Sequence, residues 1–197
     1  MITILNLSRR LNGICDHICA TLTEQLELGR TASHTINTRE LDIGFCNNCR
    51  ACMATPGNDI GVCHLNDDMS LLVASILESD CVVVVSPVNC YDLPSIARII
   101  LERMSIFCHW GDDMYSPAVR DTGRDIRGIL ITTSALPGIM VPLLTRVRIT
   151  FKLFAKPLRL KPIRYYHLGF KGRKVDNVYN QKDIGTVRKI AGRLISG

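Results

Sequence analysis

The chain has 197 residues, 47% of them hydrophobic, and a formal net charge of +6. This length is sufficient for one full core and no stretch resembles a linker between two cores, so we predict a single domain over residues 1–197. No apolar run is long enough to cross a bilayer, and Met1 begins neither a basic leader nor a segment with a cleavage site. These features exclude a transmembrane class and favour a cytoplasmic location.

The first predicted unit is a strand, a polar loop and a helix. Residues 2–7 form a compact apolar strand, and apolar residues recur at helical spacing over residues 14–28. The loop between them contains Ser8, Arg9, Arg10, Asn12 and Gly13. A helix N-terminus after such a loop can bind phosphate, because backbone N–H groups and the helix dipole both face the anion. A solvated turn has a similar composition, so the loop by itself leaves both interpretations open.

A cysteine-rich segment follows a second predicted strand over residues 33–41. Its cysteines are separated by two residues, by two residues and then by a longer gap: Cys46, Cys49, Cys52 and Cys63. Two-residue spacings allow successive thiolates to reach one [4Fe–4S] cluster or a zinc ion. The alternative is that these residues are partly buried and structure the loop, with Cys46 and Cys49 redox active. The odd total of nine cysteines is more typical of cytosolic thiols or metal ligands than of a disulfide framework.

The centre of the chain predicts a helix, a buried strand and a second helix. Asn66 is a suitable N-cap for a helix over residues 69–77, with Asp67 and Asp68 at the positive end of its dipole. Residues 80–86 form a continuous β-branched run, which is typical of a parallel strand covered on both faces. A helix over residues 93–107 follows, and we expect it to present Arg98, Glu102 and Arg103 on one side.

The loop after the central strand is a candidate ligand site, because open α/β sheets bind ligands at the carboxyl ends of their strands. This loop contains Pro87, Val88, Asn89, Cys90 and Tyr91. A later strand over residues 128–133 ends in Thr133 and Ser134 at the same predicted edge.

The remaining elements complete the predicted fold. Residues 109–124 form a polar, turn-rich loop that we expect to reach over the site or towards a partner. We predict a basic helix over residues 141–154, a strand over 162–168 and a last helix over 183–194. Strands that alternate with helices predict an α/β fold with five parallel strands in the order 2-1-3-4-5, flanked by helices.

The positive charge is concentrated late in the chain. Residues 126–175 include no acid, whereas basic residues recur there: Arg146, Arg148, Lys152, Lys156, Arg159, Lys161, Arg164, Lys171, Arg173 and Lys174. Such a face suits an anionic partner, namely nucleic acid, an acidic lipid surface or a phosphorylated cofactor. A solvated surface balanced by acids elsewhere is the alternative. Because the chain lacks a nucleic-acid recognition motif and interleaved aromatic residues, we expect no nucleic-acid partner and at most weak association with acidic surfaces.

Four blocks of this sequence, in order, resemble the flavodoxin-like NAD(P)H-dependent FMN reductase family, and within it the branch that contains the iron–sulfur flavoproteins. The blocks are residues 8–13, 46–69, 86–103 and 132–134. The resemblance implies a three-layer, doubly wound, flavodoxin-like FMN-binding domain. It assigns the FMN phosphate to Ser8, Arg10, Asn12 and Gly13. It assigns the edge of the flavin ring to Pro87, Val88, Asn89, Cys90, Tyr91, Thr133 and Ser134, although Tyr91 is equally consistent with a packed core aromatic.

The chain departs from the family pattern at three places. Ile14 and Cys15 stand where the family usually has Asn-Thr, and Asp16 then adds a negative charge near the phosphate. Asn89 stands where the ring loop usually has tyrosine, and the gap before Cys63 is longer than iron–sulfur flavoproteins usually show. We expect the guanidinium groups of the 8–13 loop to compensate, because they can bind a phosphate bidentately.

These features predict an FMN-dependent oxidoreductase, similar to an NAD(P)H-dependent FMN or quinone reductase, that passes electrons through flavin N5 to a small acceptor. The cofactor supplies the chemistry, so no catalytic side chain is predicted. The alternative is a flavin or iron–sulfur electron carrier without a nicotinamide site of its own. A third hypothesis is a flavin-free module that binds nucleic acid or membrane through the basic run. The resemblance also implies a homodimer or homotetramer, and the basic run favours NADPH over NADH as the donor.

Overall fold

The computed structural model describes residues 1–171 and 179–196. The strands are β1 (Ile2–Asn6), β2 (Ser33–Asn37), β3 (Cys81–Pro87), β4 (Cys108–His109), β5 (Ala118–Val119), β6 (Ile126–Thr133) and β7 (Leu160–Leu168). The helices are α1 (Ile14–Leu28), α2 (Ala51–Ala54), α3 (Met69–Leu77), α4 (Ser95–Arg103), α5 (Val141–Leu144), α6 (Val147–Ala155) and α7 (Gln181–Ile195). No helix in these two ranges is both long enough and apolar enough to cross a membrane.

The central sheet has five strands in the order β2-β1-β3-β6-β7, and every neighbouring pair is parallel. This confirms the predicted α/β fold and the order 2-1-3-4-5, with β6 and β7 as the fourth and fifth strands. The short strands β4 and β5 form a separate antiparallel pair within the excursion that follows α4. All five carboxyl ends therefore lie along one edge of the sheet.

Alternation along β3 divides the core into two layers. Val82 and Val84 pack into a cluster with α3, α4 and α6, whereas Val83 and Val85 pack with α1 and α7. β-branched side chains suit this position, since both faces of a central parallel strand are buried. The helices cover the two faces and leave the carboxyl edge of the strands to the loops.

The predicted helix over residues 141–154 is wrong in one respect, because it is two helices, α5 and α6. The break falls at Thr145 and Arg146. The Arg146 amide donates to the Tyr91 carbonyl (2.8 Å) across to the loop after β3. A tertiary hydrogen bond thus replaces a helical one at the break.

Two local predictions near α3 and α4 are also wrong. The N-cap of α3 is Asp68 rather than Asn66, and the Asp67 carboxylate accepts from the Met69 amide (3.1 Å). Arg103 does not share an exposed side with Arg98, since it is only 2% exposed. Its guanidinium instead forms an ion pair with Asp67 beneath the cysteine segment.

Candidate active site

A groove of about 450 Å³ lies at the carboxyl edge of the sheet, where β1, β3 and β6 end. It is lined by residues from the two loops that sequence analysis selected and from the turn after β6. The lining residues are Ser8, Arg9, Arg10, Gly13, Ile14, Cys15, Pro87, Val88, Asn89, Thr133, Ser134, Ala135 and Lys171. None of them is acidic, so the groove is suited to an anionic ligand.

The first wall of the groove is the 8–13 loop, which connects β1 directly to α1. The Asn6 side chain accepts from the Ser8 amide (3.0 Å), and the Ser8 hydroxyl accepts from the Arg10 amide (3.2 Å). Gly13 is the N-cap of α1 and provides no side-chain acceptor to the first turn. The first-turn N–H groups therefore have no capping side chain, which is the arrangement that binds anions at helix N-termini.

The charge of Asp16 is compensated outside the groove. Its Oδ1 accepts from Asn6 Nδ2 (2.6 Å) and from the Arg39 guanidinium (2.8 Å). Partial burial alone would raise the pKa of Asp16, but these hydrogen bonds, chiefly from Arg39, lower it below its ordinary value. Asp16 is absent from the groove lining. The negative charge that follows Ile14 and Cys15 in the sequence is therefore paired and directed away from an anionic ligand.

Cys15 joins the phosphate loop to the end of β6. Its thiol interacts with the side chains of Thr133 and Ser8, while burial raises its pKa to about 12. A thiol with this pKa is protonated at neutral pH and is a poor nucleophile. Cys15 thus contributes an uncharged side chain to the groove lining, at the position where the FMN reductase family that this sequence resembles usually has threonine.

The second wall of the groove is the loop that follows β3, residues 87–92, which forms a tight turn. The backbones of Asn89 and Asp92 exchange two hydrogen bonds of 2.9 Å each. Between them Cys90 (φ 48°) and Tyr91 (φ 64°) both adopt left-handed conformations. Asp92 also accepts from the Thr150 hydroxyl of α6 (2.8 Å). Left-handed backbone is unusual for such residues and persists only where surrounding contacts impose it, as these do.

The third wall is the turn after β6, which rests on the end of β7. The Val88 amide donates to the Thr133 carbonyl (2.9 Å), which joins this turn to the ring loop. His167 contacts both the Thr132 hydroxyl (2.8 Å) and the Ser134 hydroxyl (3.3 Å) through its two ring nitrogens. Burial lowers the pKa of His167. An uncharged His167 therefore stabilises the turn through hydrogen bonds to these two hydroxyls.

The groove unites most, but not all, of the predicted cofactor residues. Eight line it: Ser8, Arg10, Gly13, Pro87, Val88, Asn89, Thr133 and Ser134. Asn12, Cys90 and Tyr91 do not. All three have positive φ, and Tyr91 is 64% exposed, so it is not a packed core aromatic.

Lys171 lines the groove but was not among the predicted cofactor residues. Its amide donates to the Ser134 carbonyl (2.8 Å), and its ammonium group pairs with Asp183 in the first turn of α7. In the sequence it is one member of the basic run, without a local signal that distinguishes it. Arg173 and Lys174 of that run lie outside the described residues.

The cysteine segment is a separate region organised by two buried arginines. Arg120 donates to the carbonyls of Gly57 (2.8 Å) and Thr55 (2.8 Å), and also to those of Cys52 and Cys108. Arg103 donates to the Gly44 carbonyl (3.0 Å) and forms its ion pair with Asp67. Two arginines that lie far away in the sequence thus hold the segment by donating to its backbone carbonyls.

The structure does not show a metal centre at the four candidate ligands among the residues it describes. Cys46, Cys49, Cys52 and Cys63 line one pocket, but its volume is about 50 Å³, on the scale of a few water molecules. Within residues 1–171 and 179–196, no group of three or more His, Cys, Asp or Glu side chains is arranged to hold a metal. Burial and the neighbouring thiols raise the pKa of Cys52. The structure therefore does not support the predicted cluster.

Comparisons with known proteins identify the fold. No family model matches the chain, and no curated protein matches it. Among solved structures, a flavone reductase superposes with a TM-score of 0.69 and 12% identity, covering 99% of this chain and 62% of that one. An NAD(P)H:quinone oxidoreductase from Methanothermobacter marburgensis gives a TM-score of 0.68 and 11% identity, covering 98% and 96%. An FMN-dependent NADH-azoreductase from Bacillus anthracis, solved with FMN, gives 0.65 and 12%, covering 98% and 99%.

These likenesses agree with the resemblance seen in the sequence. The matched structures bear the names of flavone, quinone and azo reductases. The chain spans less than two thirds of the flavone reductase, but nearly the whole of the other two. At 11 to 12% identity the comparison concerns the backbone arrangement. The chain has the flavodoxin-like α/β fold of these reductases.

Proposed function

We propose that this protein is an FMN-dependent oxidoreductase that passes electrons from NAD(P)H to a small acceptor. The observation that carries the proposal is that a single acid-free groove unites the 8–13 loop, the 87–89 loop and the 133–134 turn. These three segments were selected separately in the sequence for phosphate and ring binding. The flavodoxin-like neighbours include an FMN-dependent azoreductase solved with FMN, which supports the same class of cofactor.

The phosphate end of the groove fits the anionic phosphate of FMN. Gly13 leaves the first turn of α1 without a capping side chain, and Arg9 and Arg10 add positive charge to the lining. We assign phosphate binding to the Ser8 hydroxyl, the Arg10 guanidinium and the first-turn amides of α1. Charge-assisted hydrogen bonds of this kind are about twice as strong as neutral ones.

The opposite end of the groove fits a flat, partly polar ring. Pro87 and Val88 provide an apolar wall, whereas Asn89 and the hydroxyls of Thr133 and Ser134 provide polar groups. When bound, the flavin would supply the electron-transfer chemistry. The side chains would position the ring and exclude water, and no acid or base is assigned, in line with the protonated Cys15 thiol.

An exposed apolar surface beside the groove supports the proposal of a homodimer or homotetramer. It comprises Ile139 (83% exposed), Leu143 (82%) and Leu144 on α5 and its approach, together with Ile149 and Leu153 on α6. An exposed set of large apolar side chains typically marks an interaction site. Because α6 also anchors the ring loop through Asp92, a second copy bound here would adjoin the groove.

The proposal extends to the donor and the location. We infer NADPH as the preferred donor, because exposed cations such as Arg146 and Lys152 are suited to its additional phosphate. We also infer a cytoplasmic location. All nine cysteines are unpaired, as is usual where thiols are kept reduced.

Titration of the apoprotein with FMN, followed by anaerobic addition of NADPH or NADH, tests the proposal. We expect saturable quenching of flavin fluorescence, then bleaching of the flavin absorbance, faster with NADPH. FMN binding without bleaching by either nucleotide would instead favour an electron carrier that lacks a nicotinamide site. The absence of FMN binding in folded protein would refute the assignment of the groove.

A further inference from the structure

A second and larger cavity lies at the opposite edge of the sheet, near the amino ends of β6 and β7. It has a volume of about 870 Å³ and is open to solvent between these strands and the last turns of α7. Four cations from two walls line it: Arg127 and Arg164 from the strands, and Lys189 and Arg193 from the helix. No acidic residue is part of this lining. We name this feature the basic cleft.

The two strand arginines occupy an unusual face. On β6, Arg127 alternates with Ile129 and Ile131, which are buried under α1 and α7. On β7, Arg164 pairs with Ile129 across the sheet and lies on the same face as buried Leu168. Helix-covered faces of parallel sheets are normally apolar. Where the helix layer leaves a cavity over these strands, this face instead carries the charges of Arg127 and Arg164.

In the part of the chain that the structure describes, none of the four cations forms a salt bridge with a carboxylate. Asp80 interacts with Arg127 at longer range, but its carboxylate is engaged by the amino terminus and by Arg124. Lys189 and Arg193 also suit the negative end of the α7 dipole. The two strand arginines have no such role, and a concave surface of one sign concentrates counter-ions.

The shape and chemistry of the cleft define its ligand. Its volume lies in the range of small-molecule sites, about 300–1,000 Å³, and its cations come from two facing walls rather than from a stripe. Tyr166 and Ile129 form part of its floor, and the Tyr166 hydroxyl accepts from Arg193 (3.3 Å). Guanidinium groups bind phosphate bidentately. We propose that the basic cleft binds a small molecule that carries two or more phosphate groups.

This site is distinct from the candidate active site. Arg127 is at the start of β6 and Thr133 is at its end, so the cleft and the groove are separated by about 20 Å along the strand. A ligand in the cleft does not contact the groove. The inference therefore stands whether or not the groove binds FMN.

Calorimetric titration of the full chain with sodium tripolyphosphate, at low and at physiological ionic strength, tests the proposal. We expect one ligand per chain in the cleft, separate from any phosphate that the groove binds. Arg127→Gln/Arg164→Gln should lower the affinity of the cleft about a hundredfold, because each of the two lost charged contacts weakens binding about tenfold. The matched control is Arg148→Gln/Lys156→Gln, which removes the same charge from exposed positions on α6 and at its C-terminal end and should change the affinity less than about twofold.

Two further variants keep the test decisive. Lys189→Gln/Arg193→Gln removes the cations of the helix wall and should lower the affinity comparably, even if the strand variant fails to fold. Arg10→Gln alters only the phosphate site of the groove, so the affinity that the cleft variants lower should be the same in this variant as in the wild type. Tighter binding of ATP than of tripolyphosphate would indicate that the nucleoside contacts Tyr166. Equal binding would indicate that the cleft recognises the phosphates alone.

The proposal is overturned by any of three results. The first is that folded wild-type protein fails to bind tripolyphosphate. The second is that the α6 control loses as much affinity as the cleft variants, and the third is that Arg10→Gln abolishes the binding. Binding of duplex DNA without binding of tripolyphosphate would likewise show an extended basic surface rather than a small-molecule site.

Discussion

The candidate groove and the cysteine segment are held in opposite ways. Backbone hydrogen bonds between loops and strand ends hold the groove, such as those from the Val88 amide to Thr133 and from the Arg146 amide to Tyr91. The cysteine segment contains only one short helix, α2, and depends on the guanidinium groups of Arg103 and Arg120. Groove side chains are therefore available for ligand chemistry, whereas the removal of Arg120 alone would take several hydrogen bonds from the cysteine segment.

The largest expected effect is the loss of Arg103. Arg103→Met leaves the partly buried Asp67 carboxylate without its cation, and breaking a fully buried pair costs about 3–5 kcal/mol, so we expect a loss near the lower end of that range. Urea denaturation should show a decrease of that order in the free energy of unfolding. Arg98→Met is the matched control on the same helix. Arg98 is exposed and pairs with Glu102 on the helix surface, so its loss should cost less than about 1 kcal/mol. Equal losses in the two variants would contradict the comparison.

A smaller effect is expected in the groove, and in cofactor binding rather than in stability. Arg10→Gln should weaken FMN binding by about 1.5–3 kcal/mol, the contribution of a hydrogen bond to a charged group. Fluorescence titration measures this change. Arg30→Gln, at the far end of α1, should leave the affinity unaltered. If both variants bind FMN like the wild type, Arg10 does not bind the phosphate.

The stability contributed by the ion pair of Arg103 and Asp67, next to the cysteine segment, should depend on pH. The hydrogen bond from Arg103 lowers the pKa of Asp67 below its ordinary value of 3.8, and partial burial opposes this only in part. Below that value the unfolded chain binds the proton more readily than the native chain, so stability falls as the pH falls. This contribution is complete above pH 3.8 and is lost below it.

Urea midpoints measured on both sides of this pH test the assignment. Asp67→Asn should be less stable throughout but should lose less stability on acidification than the wild type. Parallel curves for the two proteins would show that Asp67 does not titrate in this range.

The smallest effect is expected for the outer cysteines. Cys49 is exposed and Cys46 is half-buried, so Cys46→Ser/Cys49→Ser should change the free energy of unfolding by no more than about 0.5 kcal/mol. FMN affinity should also be unaltered, since neither residue lines the groove. Iron bound to the wild type and lost in this variant would reinstate the predicted cluster. Metal analysis of protein prepared without air makes that measurement.

The cysteine motif illustrates how spacing can mislead. Two-residue intervals place Cys46, Cys49 and Cys52 close together whatever their role. Whether their thiols converge on a metal depends on the loop that returns Cys63. That loop passes closely over the Cys52 carbonyl, where a side chain at Gly61 would lie only 1.8 Å from the oxygen. This return is imposed by Arg120 and by the Ile106 carbonyl, which lie far away in the sequence.

The sequence by itself determined the fold and most of the groove. Apolar periodicity is a local property, so the bounds of α1 and α3 followed from it. The alternation of strands with helices predicted the strand order, and with it the two loops at the carboxyl edge. Tertiary structure alone decided the pairing of Arg103 with Asp67, the break between α5 and α6 and the left-handed turn at Tyr91. It also brought Arg127 and Arg164 against the end of α7. Each of these depends on segments far apart in the chain, and residue order does not state which side chains will meet.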